Sequence, residues 1–413
     1  MPVSGGIPLS PILSAAPAPS TPLGPFADSA VAWTTWVTLM GFVGLAALAL
    51  LITGPARRSG SDTLAAVTAR LCRAALALGI LAAPAVLTEL TLAASPTGGY
   101  DYSAAWKSLY DGTADGLLSG LEVTLILLGA ALIAPLAVRR LAAGRARPWL
   151  LAAGLGAGAG ALVTTKFPDR APTDWGSAVF STLMWVLHLI GGGIWIGGLI
   201  GLGLLALPGA LACADSGAFW SQTIRRFSAT AMSCVAAITL SGLYLYWEHV
   251  DGPSELLTTM YGRVLGVKIL LFGALLLLGV LNQFWLHPRL EALRARGDQR
   301  PLRTILVRQF PAVVGIEALL GLSVLFVAPF LHGSARNQAY QSGLAAHSAL
   351  KHLPKLAPKS AHTSTWIWGT TETVIVVAVM IVGYRLSARV AQRRTGTAVT
   401  ASTGSSPDNL IEA

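Results

Sequence analysis

Apolar residues along this chain come in long runs separated by short polar stretches. Nine runs stand out, at approximately residues 30–53, 74–94, 117–138, 149–167, 176–207, 227–247, 261–286, 310–331 and 365–386. Each has about the 20 residues that a helix needs to cross a bilayer. Lipid offers no partner to an unpaired backbone N–H or C=O, so such runs are predicted as helices rather than strands. The predicted fold is therefore all-α, a polytopic membrane bundle of about nine transmembrane helices. The fifth run is the most informative. No charged residue interrupts it between Asp174 and Asp215. Its glycines Gly193, Gly197 and Gly201 recur at every fourth position, which puts them on one helix face and lets another helix come close. That helix is predicted to be central in a bundle with the three runs after it.

Composition turns this pattern into a membrane assignment. The chain has 413 residues, 54% hydrophobic and 12% charged, against about 25% charged in a soluble domain. The net charge of +10 does not point to nucleic acid once the basic residues are sorted by loop. Of the 29 Lys and Arg, twenty fall after runs one, three, five, seven and nine, and nine on the other side. All twenty are arginines, and all six lysines are among the nine. The positive-inside rule then places the N-terminus outside and the C-terminus in the cytoplasm.

Between the runs the composition predicts the following organisation. Residues 1–28 lack Lys and Arg, so no secretory signal peptide is predicted there, and their Pro and Ser content suits a disordered external tail. A four-helix membrane region follows over 29–168, then a second one over 174–333. The external connection 334–364 contains His and Lys, 365–387 is the ninth span, and 388–413 is a disordered cytoplasmic tail. The acidic, aromatic loop at 95–115 is expected to hold a short interfacial helix. Cys72, Cys213 and Cys234 form no CxxC and lie near the predicted cytoplasmic side, so no disulfide is expected.

Candidate chemistry begins with His188. At about 1.5 Å per helical residue it lies roughly 18 Å into the fifth run, near the bilayer middle. A titratable side chain there must find a partner or a wet cavity. Met184 and Trp195 share its face, and imidazole with thioether suits Cu(I). A hydrogen bond to a neighbouring helix accounts for the histidine equally well. Glu89, Glu122, Glu372 and Lys268 fall in the outer third of their helices, and Glu317 nearer an inner end. Lys268 with one of the three outer glutamates is the expected pair. Outside the spans, His332, His347, His352 and His362 are candidates for metal capture, although their irregular spacing also fits a solvated loop. His249 beside Glu248 and Asp251 is a further external ligand candidate, whereas His287 reads as a surface residue. Nucleotide-binding, zinc-protease, serine-hydrolase and dinucleotide motifs are missing from the sequence, so no enzyme is predicted.

The second half resembles the copper resistance protein D family of bacterial inner-membrane proteins. The likeness runs from about residue 179 to 331. It is carried by His188 with Trp195-Ile196-Gly197-Gly198, Arg226-Phe227-Ser228, Ser241-Gly242-Leu243-Tyr244, and Tyr261-Gly262-Arg263 with Lys268. Leu278-Gly279-Val280-Leu281-Asn282, Pro288-Arg289-Leu290, and Glu317 with Gly321 continue it. The resemblance implies copper handling: transport or delivery of copper ions across the inner membrane, together with a small periplasmic copper-binding partner. Six methionines without a Met-rich motif set this chain apart from a high-capacity copper binder. Two other readings stay open at this point. One is a haem-b membrane redox protein, in which inward histidines ligate iron. The other is an assembly partner that uses its glycine-faced helices for protein contacts.

Overall fold

The computed structural model describes residues 26–94, 100–168, 170–207, 216–281, 310–331, 333–347, 359 and 363–403. Thirteen α-helices are numbered here in chain order: α1 Phe26–Leu51, α2 Thr53–Arg58, α3 Ser61–Ala94, α4 Tyr102–Ser108, α5 Ala114–Ile133, α6 Arg147–Thr164 and α7 Trp175–Ala206. They continue with α8 Ser216–His249, α9 Glu255–Thr258, α10 Met260–Leu281, α11 Phe310–Val327, α12 Ala335–His347 and α13 Thr363–Thr403. No strand occurs among the described residues. Eight helices in that set are long and apolar enough to cross a membrane. The expected fourth span appears as α6, an 18-residue helix rich in small residues and led by Arg147-Pro148. At 1.5 Å per residue α6 is about 27 Å long. It still packs within the bundle, lying along α5 and α1.

The two most enclosed helices are α1 and α7. Their contact is the glycine seam the sequence points to, and its second side is α1 rather than one of the three helices after α7. A β-carbon on Gly197 would stand 2.6 Å from the Gly44 Cα and 3.1 Å from the Gly41 carbonyl oxygen. One on Gly44 would stand 2.5 Å from the Gly197 Cα. A β-carbon on Gly201 would collide with Leu48. Only glycine permits this backbone-to-backbone approach. Around the pair, Leu39, Phe42, Leu45, Leu71, Leu199 and Phe219 build one continuous core. The indole N–H of Trp33 on α1 donates to the Leu322 carbonyl of α11 at 3.2 Å.

Two connections hold more structure than the sequence predicts. The stretch expected as a loop after α11 contains α12. Asp251, just after α8, ties it down: Arg336 Nε and Lys359 Nζ both stand 2.9 Å from its Oδ1. The Lys359 ammonium also donates to the carbonyls of Trp247 and Val250 at 2.6 and 2.7 Å. The last helix continues past the expected end of the ninth span as far as Thr403, so 388–403 is helical and only 404–413 of the expected tail lies outside the described residues. The loop at 95–115 carries the short helix expected of it, α4, capped by Asp101 accepting from the Ala104 N–H at 2.9 Å.

Candidate functional site

α7 begins where the Asp174 carboxylate accepts from the N–H groups of Gly176 and Ser177, an N-cap that fixes the start of the helix. Thirteen residues later α7 presents His188 to α8. The ring Nδ1 lies 3.0 Å from Ser241 Oγ. The Ser241 hydroxyl hydrogen is engaged elsewhere, since Oγ donates to the Ala237 carbonyl at 2.6 Å. With the hydroxyl hydrogen assigned to that shorter contact, Oγ accepts from the imidazole, which puts the ring proton on Nδ1 and leaves Nε2 its lone pair. Metal-bound histidines are oriented in the same way, by a hydrogen bond from the other ring nitrogen. The ring lies against α8 at Gly242, where a β-carbon would stand at ordinary contact distance, 3.7 Å from His188 Cε1.

Other residues expected around His188 are partly gathered. Met184 is half-buried one turn earlier on α7. Trp195 is buried and meets Phe272 of α10 edge-on at 5.9 Å between ring centroids. Lys268 of α10 lies within electrostatic range of His188, so a cation at Nε2 would meet a like charge. Glu317 is buried in α11. The expected pairing of Lys268 with an outer glutamate is corrected by the structure. Glu89 and Glu122 face Lys166, just past the end of α6. Depth along a helix, which the sequence supplies, does not say which way a side chain turns. Glu372 does not join them, because it stands exposed on α13.

His249 closes α8 at the Asp174 end of the bundle. Its ring stacks on Tyr261 at 5.9 Å and meets Trp185 edge-on at 6.3 Å. Nδ1 donates to the Leu245 carbonyl at 2.8 Å, so this histidine too presents Nε2. Glu248 Oε2, 3.8 Å from Nδ1, is buried without a hydrogen bond. His249 and Ser241 are eight residues apart on α8, about 12 Å. His188 and His249 therefore serve different positions and cannot be opposite axial ligands of one haem iron. His347 is the last residue of α12, whereas His287, His332, His352 and His362 fall outside the described residues, as does Cys213. Among the described residues no group of three or more His, Cys, Asp and Glu is placed to hold a metal. An apolar cleft of about 350 Å³ lies where Leu51, Ile194, Phe227 and Thr230 meet; it offers no metal ligand.

Sequence reasoning missed Ser241, Lys166 and Trp185 as parts of sites. Ser241 carried a signal, being a hydroxyl inside an apolar run and the first residue of a motif already singled out. Lys166 was visible as a lysine at the end of an apolar run.

Residues 221–331 match the family model for copper resistance protein D. Ser241 lies within that stretch and His188 before it. The chain is 31% identical over 175 residues to copper resistance protein D of Pseudomonas syringae pv. tomato, covering 39% of this chain and 55% of that protein. It is 32% identical over 160 residues to copper transport protein CutJ of Bacillus subtilis (strain 168), covering 39% of this chain and 27% of that protein. The chain thus spans about half of the first relative and about a quarter of the second. No solved structure matches the chain. With its membrane-crossing helices, the match makes this a multi-pass protein of the bacterial inner membrane. The stretch from residue 221 to residue 331 belongs to the copper resistance protein D family.

Proposed function

We propose that this protein moves copper ions across the bacterial inner membrane, or delivers them within it, with His188 as a ligand inside the bundle. The observation that carries the reading is the contact of His188 Nδ1 with Ser241 Oγ; with the hydroxyl hydrogen assigned to the Ala237 carbonyl, it leaves Nε2 for a metal. The relatives named for copper resistance and copper transport supply the metal. Lys268 fits a site that must release its cargo. A conducting site needs binding strong enough to admit an ion and weak enough to let it go, and a neighbouring ammonium weakens the hold on a cation. His249, at the Asp174 end, would meet the ion before His188. On the same reading the arginine-rich end faces the cytoplasm, and a small periplasmic copper-binding protein would deliver to the His249 end.

His188→Asn and His188→Leu test the reading. Asparagine retains a hydrogen-bonding side chain for Ser241 but is a poor copper ligand, whereas leucine loses both. Both variants should reach the membrane folded and fail to accumulate copper. Copper accumulation by the asparagine variant at the parent level would make His188 a structural residue.

A further inference from the structure

Four spanning elements and the end of α6 converge on a second charged cluster, away from His188. Glu89 comes from α3, five residues before that helix ends. Glu122 comes from α5, eight residues after it begins. Both therefore sit roughly 8–12 Å in from their helix ends. Lys166 reaches them from just beyond α6 and lies within electrostatic range of both carboxyl groups, which are in range of each other. Aromatic walls hold the ammonium: its nitrogen is 4.6 Å from the ring centroid of Trp185 on α7 and 5.7 Å from that of Trp36 on α1. Thr35 of α1, whose hydroxyl donates to the Val31 carbonyl at 3.3 Å, stands beside the Glu89 carboxyl.

The charge count decides what this cluster can do. Two carboxylates and one ammonium leave an excess negative charge inside an apolar bundle. Removing an unpaired ion from water costs several kcal/mol. When two carboxylates share a site, the repulsion is relieved by one proton. The charged groups facing Glu122 are Glu89 from α3 and Lys166 from the end of α6. Trp36 and Trp185 supply neutral walls from α1 and α7. The arginines of the packed helices lie well away along them: Arg70 and Arg73 of α3 are 19 and 16 residues before Glu89, and Arg147 of α6 is 19 before Lys166. Glu89 has the Thr35 contact and Lys166 to support its charge, whereas no hydrogen bond to the Glu122 carboxyl is found among the described residues.

We propose that Glu89, Glu122 and Lys166 form a proton-binding site of the membrane bundle, with the exchangeable proton on Glu122 and the negative charge on Glu89. The site exists independently of the copper reading, because its charge count involves no metal.

Dicyclohexylcarbodiimide tests it on the full-length protein in detergent or liposomes without added copper. The reagent modifies protonated carboxyls in apolar surroundings: the acid proton passes to a carbodiimide nitrogen as the carboxylate oxygen bonds to the carbodiimide carbon. Peptide mass mapping should find the adduct on Glu122 at neutral pH, declining as pH rises. Glu89→Gln removes the competing charge and leaves Glu122 paired with Lys166, so labelling of Glu122 should fall about tenfold or more. Lys166→Met removes the compensating cation, so both glutamates should become labelled. Because a reagent can be shut out, pH-difference infrared spectra provide a second reading. The parent should show the carbonyl stretch of a carboxylic acid that titrates, and Glu122→Gln should lack it. Identical spectra for the parent and Glu122→Gln would overturn the proposal. So would unchanged Glu122 labelling in Glu89→Gln. Neither outcome bears on copper transport.

Discussion

Replacing Gly197 by alanine probes the contact on which the bundle is centred. The added carbon would meet the Gly44 Cα at 2.6 Å and the Gly41 oxygen at 3.1 Å. Ordinary carbon–carbon contact is about 3.5–4.0 Å, so α1 and α7 must part by roughly 1 Å. Both obstacles are backbone, and no flexible side chain can turn aside. Overpacking of this kind costs about 1–3 kcal/mol, a factor of roughly 5 to 150 in the unfolding equilibrium. Gly203→Ala is the matched control. It lies on the same helix, and the nearest atom to its β-carbon would be Val314 Cγ1 at 3.8 Å. There the gain from replacing a helical glycine, about 0.5–1 kcal/mol, should leave the protein as stable as the parent or more so. Denaturant unfolding in detergent, followed by tryptophan fluorescence, compares the two. If Gly197→Ala unfolds at the same concentration as Gly203→Ala, the helices are not in backbone contact and the seam is wrong.

Ser241→Ala should free the His188 tautomer. It is expected to cost about 1 kcal/mol of stability and, on the copper reading, roughly 10- to 100-fold in copper affinity, measured by competition with a chromophoric chelator. Asp251 predicts an acid limit for the contacts of α12. Partial burial pushes its carboxyl up, but hydrogen bonds from Lys359 and Arg336 and their charges outweigh this and hold it below its usual 3.8. A lowered carboxyl contributes stability above its unfolded value and loses it as pH falls through the folded one. Hydrogen exchange should therefore show α12 protection unchanged down to about pH 4 and falling only below it, and Asp251→Asn should remove that dependence.

How much could be read in advance differs from element to element. Run length and the lack of charge gave away every long helix, because lipid forces the backbone to satisfy itself. The four-residue spacing of Gly193, Gly197 and Gly201 announced a close contact, but a period identifies a face and not its partner. That partner, Gly44, lies in a run with no glycine repeat as regular. α12 escaped notice because its sequence is polar, and it is held by Asp251 from elsewhere in the chain. His188 was legible as an expensive residue in an apolar run. Its partner was not, because that depends on which residue α8 turns toward it, and Ser241 fills that place. The lysine partner of Glu89 and Glu122 was misplaced for a related reason: depth can be counted along a sequence, but azimuth cannot.

The α1–α7 seam also sets a schedule for synthesis. Gly44 and Gly197 are 153 positions apart (197 − 44). At 5–20 residues per second a ribosome needs on the order of 10–30 s to cover that distance. Through that interval α1 stands in the membrane with its glycine groove facing lipid chains that cannot fill it as closely as another backbone does. The N-terminal helices thus wait for α7 to arrive, and the seam can close only once residue 197 of 413 has been made. A nascent chain stalled before residue 175 would display that groove to the cell's membrane proteases and insertases, whereas the finished protein hides it.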